Sequence, residues 1–144
     1  MVATRFGDWL GEAEAALGRL RERVDRIVVA GLSMGGLLTL WLGVHHPDLA
    51  GLITINPLTL PLDDEIVEMA RGMLEEGETI VPGIGSDIAD PDVTETAYPG
   101  TPIAPFISLV EDGVRPLSTR LGELKMPVLL MNSPQDHVVD PANA

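Results

Sequence analysis

The 144-residue chain has no cysteine, which removes disulfides, thiolate metal sites and cysteine nucleophiles together. Histidine is scarce: His45, His46 and His137 are the only three, and their spacing suits solvated helix ends and loops rather than a metal site. Positive charge is scarce too. Nine basic residues stand against 22 acidic ones, for a net charge of −13. A surface of that sign repels phosphate backbones and anionic headgroups, so no nucleic-acid partner is expected. Apolar residues are plentiful by contrast, at 45%, enough for one modest domain with a core.

From Ile27 to His46 there is no charged residue, a run long enough to be tested as a membrane span. Gly31, Ser33, Gly35, Gly36 and Gly43 interrupt it, and Asp25, Arg26 and Pro47 flank it. Two shorter buried elements joined by a glycine turn account for the run, so no membrane span is expected. The expected location is cytoplasmic. The sequence names no oligomeric partner.

Phe6, Trp9, Leu10, Ala13, Ala16, Leu17, Leu20 and Val24 recur at steps of three and four, which predicts an amphipathic helix over about 4–23. The β-branched run 26–31 then reads as a strand buried on both faces, as in a parallel sheet. After a Gly-Leu-Ser-Met-Gly-Gly turn, 37–44 reads as a buried helix ending before Pro47. A second buried strand is expected at 51–56 and a third at 127–132. Strands alternating with helices predict an α/β fold, a parallel sheet with helices on both faces.

Residues 1–56 and 126–144 thus form a core, and 57–125 an insertion. Within the insertion a helix is expected over 63–76 with Asp63 as N-cap, an ordered loop over 79–105, and two short helices near 103–111 and 116–125. An insertion this long between sheet strands generally has a task, such as a lid.

Gly31-Leu32-Ser33-Met34-Gly35 carries the chemistry. A serine hydroxyl is a weak nucleophile at neutral pH and needs exposure, a base and donors for the oxyanion that forms on attack. A tight strand-to-helix turn exposes Ser33 in a strained conformation and aims the Met34 N–H and the helix N-terminus at the reacting carbonyl oxygen. Gly31 and Gly35 are expected because side chains there would collide with the backbone, and Gly36 because the helix packs closely on the strand. By chance the bare pattern arises in about 5% of chains this long. Here it also follows a β-branched strand and opens an apolar helix, the context that gives it meaning.

Downstream, the strand at 127–132 runs into Ser133-Pro134-Gln135-Asp136-His137. An acid just past the carboxyl end of a strand suits the order Ser…Asp…His. Asp136 is the preferred acid and Asp140, ahead of Pro141, the alternative. His137 adjoins Asp136 and cannot easily both take its hydrogen bond and reach Ser33. His45 and His46 lie roughly 15 Å from Ser33 at helical rise.

With these motifs the chain resembles the α/β-hydrolase superfamily, and within it the bacterial carboxylesterases and monoacylglycerol lipases. The similar stretches are Asp8-Trp9, 29–36, and 127–130 leading to 135–141. The resemblance implies a partial α/β-hydrolase fold with a small helical cap over an acyl pocket, and a small-molecule ester as substrate. It implies Ser33 as nucleophile, the Met34 N–H as one oxyanion donor and Asp136 as the residue orienting the base, with no cofactor and no metal. Leu58, Leu60, Leu62, Met69, Met73 and Ile103 suit either that acyl pocket or the core of the cap.

The family also has an oxyanion segment after an early strand, and a histidine after one more strand beyond the acid. Neither is found in this chain. The expectation is the middle of an enzyme, lacking part of its sheet at both ends and inactive as an esterase by itself. Thioesterase, peptidase and cofactor-free haloperoxidase chemistry share the nucleophile motif, and a non-catalytic α/β domain that binds a ligand would need no histidine.

Overall fold

A computed structural model describes residues 2–83, 85, 87–90, 92–94 and 96–144. Ile84, Ser86, Pro91 and Glu95, within the stretch expected as loop, lie outside the described residues. Three parallel strands, β1 (Val28–Leu32), β2 (Gly51–Ile55) and β5 (Val128–Met131), form the main sheet in the order β1-β2-β5. Val28 pairs with Gly51 and Leu32 with Ile55, while Leu52 pairs with Val128 and Ile55 with Met131. The carboxyl ends of all three strands therefore lie together at one edge, where an α/β sheet presents its site.

Helices α1 (Phe6–Arg21) and α2 (Met34–His45) cover one face. Leu52 and Thr54 of β2 are buried there, each 1% exposed. Gly43 of α2 lets the helix settle on Leu52, since a Cβ at 43 would lie 2.5 Å from its Cδ1. Leu37, Leu40, Phe6, Leu17, Val114 and Leu117 complete this core, each fully buried side chain contributing about 1.5–3 kcal/mol. The opposite face carries Val28, Leu32, Ile55, Leu129 and Met131, between 37% and 60% exposed. Among the described residues no helix covers it. The two-faced apolar strands expected from the sequence are present, but the second helical layer is not found.

The insertion holds more order than its composition indicates. Helix α3 (Asp64–Glu75) begins after Asp63 as expected, although the Asp63 side chain makes no capping hydrogen bond. The stretch expected as loop contains an antiparallel pair, β3 (Ile80–Pro82) and β4 (Gly100–Pro102). The two short helices expected near 103–111 and 116–125 are instead one helical run to Ser118. It comprises α4 (Ile103–Ser108), a π-helical stretch Leu109–Val114 and α5 (Arg115–Ser118), with a 3-10 turn at Leu121–Glu123. Pro116 has no N–H to offer the Asp112 carbonyl, and its ring would press on that group; the wider turn ahead of it relieves both problems.

This run divides its loyalties. Ile103, Ile107 and Val110 pack with Val67 and Ala70 of α3 in a second apolar cluster. Val114 and Leu117 instead join the main core. There the Trp41 Nε1–H donates to the Gly113 carbonyl at 2.9 Å, and the Phe6 N–H donates to Ser108 Oγ at 3.0 Å. Among the described residues no helix is long and apolar enough to cross a membrane.

Candidate active site

Ser33 sits at the turn from β1 into α2 with φ 52° and ψ −117°, a conformation that L-residues adopt only when their surroundings impose it. The constraint is visible on both sides. Its N–H donates to the Ile55 carbonyl at 2.9 Å, and its own carbonyl accepts from Leu37 N at 3.1 Å and Leu58 N at 3.4 Å. The backbone is thus fastened to β2, to the first turn of α2 and to the start of the insertion. Among the described residues the Ser33 hydroxyl and the Met34 N–H have no hydrogen-bond partner. The latter is one of the N–H groups that a helix start leaves unpaired.

The glycines do not share the work as expected. A Cβ at Gly31 would lie 2.0 Å from the Gly35 carbonyl oxygen, and one at Gly36 would lie 2.8 Å from Pro57 Cβ. At Gly35 nothing stands within 4 Å. Sterics therefore require Gly31 and Gly36 but not Gly35, and Gly36 serves contact with Pro57 beyond β2.

Asp136 lies on the loop after β5. Its Oδ1 accepts the Val138 and Val139 N–H groups, each at 2.8 Å. Its Oδ2 has no partner among the described residues, so the carboxylate is fixed at one oxygen and open at the other. Asp140 is occupied as a cap, accepting from Ala142 N at 2.8 Å.

A cavity of about 850 Å³ brings Ser33 and Asp136 together, within the range that small-molecule sites occupy. Leu32, Asn56, Ser133, Gln135 and Val138 line it from the sheet edge, and Asp87, Ile88 and Ala89 from the insertion. Asp140 instead lines an adjoining cavity of about 350 Å³ with Leu58 and Leu62, and Asp136 to Val139 line both. None of the six apolar residues considered for an acyl pocket lines the Ser33 cavity. Ile103 is in the core of the insertion with Leu62 and Met73 packed on it, Leu58 packs on the main core, and Leu60 and Met69 are exposed.

Two of the three histidines are engaged elsewhere. His46 accepts from Arg21 at Nδ1, because a guanidinium can only donate, so its Nε2–H donates to Glu14 at 2.6 Å. His45 lies against Trp41 and 3.7 Å from Glu14. His137 does line the Ser33 cavity; Asp87 holds its Nδ1 at 2.7 Å and its N–H at 2.9 Å, and among the described residues its Nε2 has no hydrogen-bond partner. This contact holds the Asp87 carboxyl below its ordinary range, chiefly through the bond from the His137 N–H, and raises the imidazole. Among the described residues no group of three or more metal-ligating side chains could hold an ion.

A parallel sheet with this turn and this edge is a partial α/β-hydrolase fold, and the chain resembles the lipolytic members of that superfamily in sequence and structure. It is 40% identical over 146 aligned positions to the thermostable monoacylglycerol lipase of Bacillus sp. (strain H-257), an alignment covering all of this chain and 56% of that protein. A solved structure described with LipS and LipT, two metagenome-derived lipolytic enzymes, superposes with a TM-score of 0.87 at 35% identity, over 99% of this chain and 57% of that one. The monoacylglycerol lipase of Paleococcus ferrophilus shares the fold, with a TM-score of 0.70 at 16% identity, over 97% of this chain and 58% of that one. The chain spans a little over half the length of these relatives. No family model matches it.

Proposed function

We propose that the protein is a serine-dependent carboxylic ester hydrolase acting on uncharged short-to-medium acyl esters or monoacylglycerols. One observation carries the reading: Ser33, held at φ 52° with an unpartnered hydroxyl, shares a cavity with the half-open carboxylate of Asp136. The net charge of −13 disfavours anionic substrates. The lipolytic relatives point to the same substrate class.

In this reading a base takes the Ser33 proton as Oγ attacks the ester carbonyl. The Met34 N–H, at the positive end of α2, stabilises the oxyanion. Collapse breaks the ester C–O bond, the alcohol leaves with the proton, and water then releases the acid from the acyl-enzyme. Asp136 Oδ2 orients the base. The insertion at 57–125 acts as a cap, with Ile88 and Ala89 as its wall toward the substrate.

His45 and His46 are engaged away from the Ser33 cavity, and among the described residues no hydrogen bond joins His137 to Ser33, so we infer that these 144 residues alone do not turn over esters. The same observation favours a second reading, a non-catalytic α/β-hydrolase-like binding domain. A fluorophosphonate probe applied to the product of the complete reading frame separates the two. Labelling at Ser33, with p-nitrophenyl butyrate hydrolysis lost in Ser33→Ala, is the expected result. An unlabelled Ser33 overturns the esterase.

A further inference from the structure

We propose that Asn56 is a positioning residue that locks the loop bearing Asp136 in register with the turn bearing Ser33. The proposal rests on the reading of Ser33 and Asp136 as catalytic partners. It begins in the ladder. At the end of β2 the Ile55 carbonyl accepts the Ser33 N–H at 2.9 Å, on the β1 side, and the next N–H, that of Asn56, donates to the Met131 carbonyl at 2.9 Å, on the β5 side. The last residue of β2 and the one after it thus hold the nucleophile turn with one hand and the end of the acid strand with the other.

In a regular parallel ladder, a residue that donates to the carbonyl of one neighbour accepts, through its own carbonyl, the N–H two residues further along. For Asn56 that donor is Ser133. Asn56 has φ 40° and is followed by Pro57, so its main chain has turned out of the strand. The Ser133 N–H is taken instead by the Asn56 side-chain Oδ1 at 2.8 Å. The carboxamide oxygen stands in for the missing ladder carbonyl and extends the β2–β5 pairing one step, three residues short of Asp136. Asparagine suits the position twice over, since it tolerates positive φ better than most residues and carries an acceptor at the needed reach. Asn56 and Ser133 both line the Ser33 cavity, so a shift of this pairing moves the acid relative to the nucleophile.

The test separates conformation from hydrogen bond. Asn56→Gly keeps the backbone and removes the acceptor, Asn56→Ala removes both, and Asn56→Asp keeps both. Each is made in the product of the complete reading frame, and kcat and KM on p-nitrophenyl butyrate are read together with hydrogen exchange of peptides covering 132–139. Misplacement of a catalytic group by about 1 Å costs up to about 100-fold, so Asn56→Gly should lower kcat about 10- to 100-fold. KM should stay within about twofold, the pattern of a lost transition-state alignment rather than lost binding. Exchange at 132–139 should quicken in Asn56→Gly, and Asn56→Asp, assayed at pH 8, should return both readouts toward wild type. Wild-type kcat and exchange in Asn56→Gly overturn the proposal, as does a raised KM with kcat unchanged, which would make Asn56 a substrate contact. If the wild type neither labels at Ser33 nor turns over ester, the hydrolase reading fails. Exchange then decides alone whether Asn56 holds the loop.

Discussion

Asp87 and His137, 50 residues apart, are joined by two hydrogen bonds, one to the imidazole Nδ1 at 2.7 Å and one to the backbone N–H at 2.9 Å. The pair fastens the insertion to the residue after Asp136 and leaves Ile88 and Ala89 on the wall of the Ser33 cavity. The two titrations bound its working range. His137 is raised by the side-chain hydrogen bond and charge of Asp87, so its contribution is complete below the ordinary imidazole value and is lost as pH rises through the raised one. Asp87 is lowered, so its contribution is complete above the ordinary carboxylate value and is lost as pH falls through the lowered one. The clasp should hold best between the two. An NMR titration should place His137 above a free imidazole and return it toward the ordinary value in Asp87→Asn, with faster hydrogen exchange near 87–90. An unshifted His137 in the wild type would dismiss the clasp.

The glycines around Ser33 make opposite predictions from the same motif. Gly31→Ala forces a methyl to within 2.0 Å of the Gly35 carbonyl oxygen and should cost about 3 kcal/mol or more, the upper range for overpacking. Gly35→Ala meets open space in the first turn of α2 and should be neutral or stabilising by up to about 1 kcal/mol. Urea unfolding of the two variants checks the contrast, and equal losses would contradict it.

Those glycines also mark the limit of what the sequence discloses. The turn at Ser33 and the order of strands and helices were legible because they follow from local sterics and periodicity. Periodicity says which faces are apolar but not what covers them, so the bare face of Val28, Leu32, Leu129 and Met131 was read as buried. The β3–β4 pair escaped because three-residue strands ending at Pro82 and Pro102 show no alternation. The remaining site residues depend on long-range contacts. Asp87 meets His137 across 50 residues, and Asn56 meets Ser133 across 77. Asn56 gave one local signal, an asparagine between a strand and a proline, a place where positive φ is common.

Thr54 presents a removable defect in the core. It is 1% exposed, and among the described residues its hydroxyl has no hydrogen-bond partner. A buried hydroxyl without a partner costs about 1–3 kcal/mol, and a methyl of similar size would not. Thr54→Val should therefore raise the unfolding free energy by about 1 kcal/mol, seen as a higher urea midpoint at unchanged slope. A destabilised variant would mean that the hydroxyl is paired in solution.

Ser33 itself should oppose stability to function. Its φ of 52° and ψ of −117° are held by hydrogen bonds to Ile55, Leu37 and Leu58, and such a conformation costs a non-glycine residue about 1–3 kcal/mol. Glycine would adopt it with little strain, though it adds flexibility to the unfolded chain. Ser33→Gly should thus be more stable than Ser33→Ala by about 1 kcal/mol or more, while both lose ester turnover. Thermal unfolding of the two variants beside the wild type measures the gap. If alanine proves as stable as glycine at this position, the turn is not strained, and the exposure of the Ser33 hydroxyl needs another cause.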